Sequence, residues 1–69
     1  MKYLQYYSTY SKHWEYVINT LNCQGIMTIT KKKNPHLTLE KILSEVIKGD
    51  KETLTRYNAC YPGNKFRLI

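Results

Sequence analysis

The clearest folding signal in this chain is an apolar stripe between Leu37 and Gly49. Its large side chains recur at the three- and four-residue spacing of one helix face: Leu39, Ile42, Leu43, Val46 and Ile47. Thr38 can cap the start of this helix, and Gly49 can end it in left-handed backbone. Asp50 can cap a second short helix over residues 51–59. The stretch 38–60 therefore predicts two consecutive helices joined by a tight turn.

The amino-terminal third of the chain allows two interpretations. A helix over residues 11–22 is favoured because four apolar residues share its spacing: Trp14, Val17, Ile18 and Leu21. Before Ser8 the tyrosine-rich sequence favours a strand, since few strong helix formers occur there. The alternative is one long helix that carries a tyrosine stripe from Tyr3 to Leu21.

Shorter elements complete the prediction. Alternating β-branched residues indicate a strand at 26–30, which is followed by a loop at 31–36. A second strand is predicted at 65–69, and we expect it to pair with the first, because an unpaired strand leaves an open edge. The predicted fold class is α+β, with two or three short helices packed on a small antiparallel sheet.

Chain length limits both the core and the kind of site. A chain of 69 residues forms a single small domain (1–69) and buries only about 60% of the surface that it exposes when unfolded. So small a core leaves little room for a drug-sized pocket. Size therefore argues against an enzyme for small molecules.

The charge of the chain is positive and unevenly distributed. Its eleven lysines and arginines against five acids give a net charge of +6. Residues 1–36 contain five lysines and one glutamate, which favours polyanionic or acidic partners. Lys31, Lys32 and Lys33 form a cluster that can bind phosphates. The competing interpretation is a solvated turn that protects an edge strand from aggregation.

Aromatic residues are concentrated in the same part of the chain. Five of the seven tyrosines and the single tryptophan lie within residues 1–16. Neighbouring side chains point in different directions in a helix or a strand, so these rings cannot all be buried. Exposed rings among Tyr3, Tyr6 and Tyr10, next to Lys12, can stack on bases or anchor a protein interface.

The two helices over residues 38–60 resemble a helix-turn-helix in length and in their short joint. In that arrangement Arg56 would face the major groove of DNA. The competing interpretation is a plain helical hairpin, in which Arg56 pairs with Glu52.

Catalytic and metal-binding motifs are not found in the sequence. The best metal ligands are far apart in the chain: His13, Cys23, His36 and Cys60. We predict no metal, no cofactor and no enzymatic activity. With only two cysteines, no signal peptide and no membrane-length apolar segment, a cytoplasmic protein with free thiols is expected, with no membrane partner.

The sequence therefore supports two functional hypotheses. The first is a basic, non-catalytic protein that binds DNA or RNA, encoded by a phage or another mobile element, since the frequent Lys, Asn, Ile and Tyr codons are AT-rich. The second is an inhibitor of a host enzyme, of the anti-CRISPR or host-takeover type, that binds an acidic protein surface through the same residues. A homodimer is a further interpretation, tied to the single long helix. The residues predicted to bind the partner are Tyr3, Tyr6, Tyr10, Lys12, Lys31, Lys32, Lys33 and Arg56.

Overall fold

The computed structural model describes residues 2–20 and 23–69. Within these ranges the chain forms three α-helices and a four-stranded antiparallel sheet, which confirms the predicted α+β class. The strands are β1 (Lys2–Ser8), β2 (His13–Tyr16), β3 (Lys48–Gly49) and β4 (Phe66–Leu68). The helices are α1 (Cys23–Lys33), α2 (Leu39–Ile47) and α3 (Lys51–Cys60), and one 3-10 turn covers Val17–Asn19. None of the helices in the described ranges has the length and apolar character needed to cross a membrane.

Strand β1 organises the sheet, because it is paired antiparallel with each of the other three strands. Gln5, in the middle of β1, lies opposite Tyr16 of β2 and opposite Arg67 of β4. The short strand β3 pairs with Lys2 and Tyr3 at the start of β1.

The helices pack on one face of this sheet and enclose the apolar core. The buried apolar side chains are Leu4, Val17, Leu37, Ile42, Val46, Tyr57 and Phe66. Leu4 of β1 and Phe66 of β4 contribute the sheet's part of this core. Because successive side chains of a strand point to opposite faces, their neighbours Gln5 and Arg67 point away from the helices.

Both predicted helix caps are confirmed. The Thr38 hydroxyl accepts a hydrogen bond from the Lys41 backbone N–H at 3.1 Å, and α2 begins at the next residue. The Asp50 carboxylate accepts one from the Thr53 N–H at 3.0 Å at the start of α3. This hydrogen bond stabilises the ionised carboxylate, so it lowers the pKa of Asp50.

Gly49 has a different role from the one predicted. It does not adopt left-handed backbone, because Lys48 and Gly49 are extended and form β3. A β-carbon at Gly49 would lie 2.7 Å from the Cγ2 atom of Thr53 in α3. Glycine is therefore required here for the close approach of β3 to α3, and not for a left-handed helix end.

The predicted helix over residues 11–22 is wrong. Residues 13–16 form β2, which pairs with β1, and they are followed by the 3-10 turn. Val17 is buried whereas the next residue, Ile18, is exposed, and Leu21 lies outside the described residues. Cross-strand pairing with β1 therefore outweighs the helical apolar spacing. The predicted strand before Ser8 is confirmed, so the alternative of one long helix from Tyr3 is wrong as well.

The predicted strand at 26–30 is also wrong, because these residues lie in α1. Ile26 and Met27 pack against the core and Thr30 is buried, a spacing that one face of a helix provides. The predicted loop at 31–36 begins only after Lys33. The closing strand is confirmed as β4, although it pairs with β1 and not with residues 26–30.

The helix-turn-helix-like pair is not confirmed. The link between α2 and α3 is β3, which is held in the sheet by β1. Thr53 and Tyr57 on α3 are buried against the rest of the molecule. The two helices therefore complete the core, and the middle of α3 does not stand free as a recognition helix.

Candidate functional site

The sheet face opposite the helices carries a cluster of aromatic and basic side chains, which we call the aromatic face. Its members are the four rings Tyr3, Tyr7, Trp14 and Tyr16, the cations Lys48 and Arg67, and the amide side chain of Gln5. The strand register brings them together, because residues directly opposite each other on paired strands project to the same face. None of the seven is acidic.

Four rings of the aromatic face form two cross-strand pairs. Tyr3 and Tyr16 have ring centroids 5.9 Å apart at an interplanar angle of 86°. Tyr7 and Trp14 lie 5.5 Å apart at 74°. Edge-to-face packing of this kind stabilises the sheet and holds the rings in place. Tyr3 remains 45% exposed and Tyr16 40% exposed, so the first pair offers ring surface to a ligand.

Two cations lie over these rings. The Lys48 ammonium nitrogen is 5.0 Å from the centroid of the Tyr3 ring. The Arg67 guanidinium carbon is 4.3 Å from the Trp14 ring, and Arg67 Nε donates a hydrogen bond to Gln5 Oε1 at 2.9 Å. The aromatic face thus combines fixed rings with positive charge, which are the two features that stack bases and attract phosphates.

A shallow hollow adjoins the Tyr3 and Tyr16 pair. Its volume is about 220 Å³, and its lining residues are Tyr3, Tyr16, Ile18, Asn19 and Ile47. Pockets for drug-sized molecules usually measure about 300–1,000 Å³, so this hollow suits a smaller planar group at the end of the aromatic face.

The predicted aromatic residues are divided among three places. Tyr3 lies on the aromatic face. Tyr10 is 99% exposed in the turn between β1 and β2, where Lys12 adopts a positive φ of 60°. Tyr6 points to the helix side, half-buried, with its ring 6.4 Å from that of Phe66.

The predicted lysine cluster forms the last turn of α1. The Lys31 ammonium group donates to the carbonyl oxygen of Pro35 at 3.0 Å. Lys33 donates to the Cys60 carbonyl at 2.7 Å and lies 5.5 Å from the ring of Tyr61. Two of the three cations therefore have structural partners, and α1 packs on the side of the sheet opposite the aromatic face.

Arg56 is partly buried, with its side chain 17% exposed, and it is paired with two acidic groups. It forms an ion pair with Glu45, whose side chain is only 3% exposed, and a second one with Glu52 at 3.5 Å. The hydrogen bond to Glu45 raises the pKa of Arg56. The pair connects α2 to α3, which favours the structural interpretation of Arg56.

Most members of the aromatic face were missed by sequence reasoning. Alternation along the predicted strand before Ser8 could have placed Tyr3, Gln5 and Tyr7 on one face. Trp14 and Tyr16 were missed because residues 11–22 were predicted as a helix. Alternation along the predicted strand at 65–69 places Arg67 on the face opposite Phe66 and Leu68, but its position beside Trp14 depends on pairing between distant parts of the chain. The position of Lys48 depends on such pairing as well.

The ligand types preferred by metals do not converge in the described part of the chain. Within residues 2–20 and 23–69, no three His, Cys, Asp or Glu side chains are grouped as metal ligands. Cys23 and Cys60 are free, and burial raises the pKa of the Cys23 thiol.

Comparisons with protein-family models, with curated proteins and with solved structures gave no match. The functional assignment therefore depends on the geometry of the aromatic face.

Proposed function

We propose that the protein binds single-stranded nucleic acid, DNA or RNA, through the aromatic face. The observation that carries this proposal is the pairing of four rings with two cations on a sheet face that no described helix covers. Aromatic side chains on an open sheet are a common platform for unpaired bases, because every base has a π-face that can stack on a ring.

Single strands fit this surface better than duplex does. In a duplex the faces of the bases are already stacked on each other, and only their edges are accessible in the grooves. The rings of the aromatic face offer stacking surface, whereas the helix that could have entered a major groove is packed into the core. We therefore expect weaker binding to duplex than to a single strand of the same sequence.

Positively charged side chains beside the rings should add to the affinity that base stacking provides. Lys48 and Arg67 lie beside the rings, and exposed Lys65 precedes β4. A strand stacked on the rings would release counterions as these groups approach its phosphates, so the affinity should fall as salt rises. Lys31, Lys33 and Arg56 should contribute little, because each is bound to a carbonyl or carboxylate of the chain.

The test is a titration of labelled single-stranded and duplex oligonucleotides at about 50 mM and about 200 mM salt. We expect tighter binding to the single strand, weakening with salt, and a change in the fluorescence of Trp14, the only tryptophan. Lys48→Ala should weaken binding, whereas Lys32→Ala removes the same charge from α1 and should have little effect. No binding at the lower salt concentration would refute the proposal.

The same titration separates this function from inhibition of a host enzyme. An inhibitor that uses these rings as a hot spot for an acidic protein surface would leave short oligonucleotides unbound. Salt-dependent binding that changes the Trp14 fluorescence favours the nucleic-acid function.

A further inference from the structure

Arg67 is fixed more firmly than the other cation of the aromatic face. Its Nε–H is bound to Gln5 Oε1, and its guanidinium lies over the indole of Trp14. Gln5 itself is only 6% exposed and lies between β2 and β4 in the strand register. Lys48 lacks a comparable anchor in the described residues and contacts the Tyr3 ring alone.

The outer edge of this guanidinium remains available for a ligand. A guanidinium carries five N–H donors, and Gln5 takes the one on Nε. Within residues 2–20 and 23–69, the terminal nitrogens of Arg67 have no hydrogen-bond acceptor, in contrast to Arg56, which is paired with Glu45 and Glu52. Arg67 therefore presents a fixed pair of donors beside a stacking ring.

We propose that Arg67 recognises guanine by donating two hydrogen bonds to its O6 and N7 atoms. This inference rests on the proposed function, since it requires a base to stack on the aromatic face beside Arg67. Because the guanidinium itself lies over the Trp14 indole, the base would stack on the exposed Tyr16 ring. Tyr16 flanks Gln5 on the side opposite Arg67, so the base would have one edge toward the terminal nitrogens of Arg67. Gln5 acts as a positioning residue, because its hydrogen bond sets the direction of the donors.

The donor pattern selects among the four bases. Guanine presents two acceptors, O6 and N7, on one edge, and this edge matches the fork of an arginine. Adenine has a donor beside N7, and thymine or uracil has a donor between its two carbonyl acceptors. In a single strand cytosine also offers two adjacent acceptors, O2 and N3, so the preference for guanine over cytosine comes from the larger stacking surface of the purine.

A ligand change tests this without altering the protein. Three oligothymidylates are compared: one unmodified, one with a single central guanine, and one with 7-deazaguanine, which lacks the N7 acceptor, at the same place. We expect the guanine strand to bind about tenfold more tightly than the 7-deazaguanine strand. Equal affinities for these two strands would overturn the inference while leaving the proposed function intact. No binding to any of the three strands would overturn both.

Variants then assign the preference to Arg67. Arg67→Lys keeps the positive charge but loses the planar fork, so it should abolish the guanine preference and retain binding to oligothymidylate with its salt dependence. Lys48→Ala should weaken the binding of all three oligonucleotides equally and retain the preference for guanine over 7-deazaguanine. If Arg67→Lys instead weakens all strands alike and the preference persists, Arg67 contacts phosphate and the inference is wrong.

Discussion

Tyr7 and Trp14 face each other across β1 and β2, with their ring centroids 5.5 Å apart at 74°. This contact places the only tryptophan on the open side of the sheet, next to Arg67, and away from the core. In so small a domain a tryptophan would normally contribute to the core, so its position on the aromatic face is consistent with a role in binding.

Trp14→Ala should therefore reduce the affinity for single strands. Loss of one stacked base costs about 1–3 kcal/mol, so a roughly tenfold weakening is expected in a fluorescence anisotropy titration with a labelled strand. Tyr10→Ala is the control, because Tyr10 is fully exposed in the turn and lies outside the aromatic face. A larger loss of affinity for Tyr10→Ala than for Trp14→Ala would show that the binding site is the turn between β1 and β2 and not the aromatic face.

Gly49→Ala should destabilise the fold. The new β-carbon would lie 2.7 Å from Thr53 Cγ2, and overpacking of this kind costs about 1–3 kcal/mol. Urea unfolding measures the change in the free energy of unfolding. Gly63→Ala is the matched control, since nothing lies within 4 Å of its β-carbon, and it should change stability by less than about 0.5 kcal/mol. Equal effects would show that β3 can move away from α3.

Glu45→Gln should destabilise the protein by about 3 kcal/mol, because it leaves the Arg56 charge without its buried partner. The matched control is Glu52→Gln, which removes the exposed carboxylate, 82% accessible, from the same arginine. That change should cost less than about 1 kcal/mol. Unfolding curves for both variants test the expected order, and a reversed order would contradict the assignment of Glu45 as the main partner.

Tyr57→Phe should be neutral or stabilising near neutral pH, by up to about 1 kcal/mol. The buried Tyr57 hydroxyl has no hydrogen-bond partner in the described part of the chain, so its removal ends a desolvation cost. Tyr61→Phe is the contrasting variant, because the Tyr61 hydroxyl donates to the Ile26 carbonyl at 2.9 Å. Tyr61→Phe should lower the free energy of unfolding, measured by urea unfolding, by about 1 kcal/mol.

The Tyr57 variant also has a signature at alkaline pH. Burial raises the pKa of Tyr57 from 10.0 to about 12 in the folded protein. The unfolded chain loses this proton first, so the stability associated with Tyr57 is present below pH 10 and is lost as the pH rises to about 12. The free energy of unfolding of Tyr57→Phe should therefore fall less steeply with pH over that range than that of the unchanged protein. An equal pH dependence for the two proteins would show that other groups govern alkaline unfolding.

Local signals predicted α2 and α3 well. Their apolar spacing and the caps at Thr38 and Asp50 are properties of adjacent residues, and a helix closes its hydrogen bonds within one segment. The same reasoning failed at 26–30, where alternating threonines and isoleucines resemble a strand but lie on a helix whose inner face is buried.

The sequence predicted the type of site, exposed aromatic rings near positive charge, but not most of the residues that form it. The excess of tyrosines over what a small core can bury indicated exposed rings, and Tyr3 is one of them. The sequence predicts Lys31 and Lys33 in a loop, either as phosphate contacts or in a solvated turn, but in the structure their side chains donate to the backbone carbonyls of Pro35 and Cys60. Hydrogen bonds of this kind depend on how the ends of neighbouring helices are placed in the fold, and the composition of the sequence does not show this.

The amino-acid sequence by itself determined the capped helices, the basic charge and the surplus of aromatic residues, because each follows from residues near one another in the chain. Only the tertiary structure decided that residues 13–16 form a strand and that Arg67 meets Gln5, 62 positions away. The physical reason is that strands take their hydrogen bonds from other strands. The composition of one sheet face therefore depends on partners and register, which are set when the whole chain packs around a shared core.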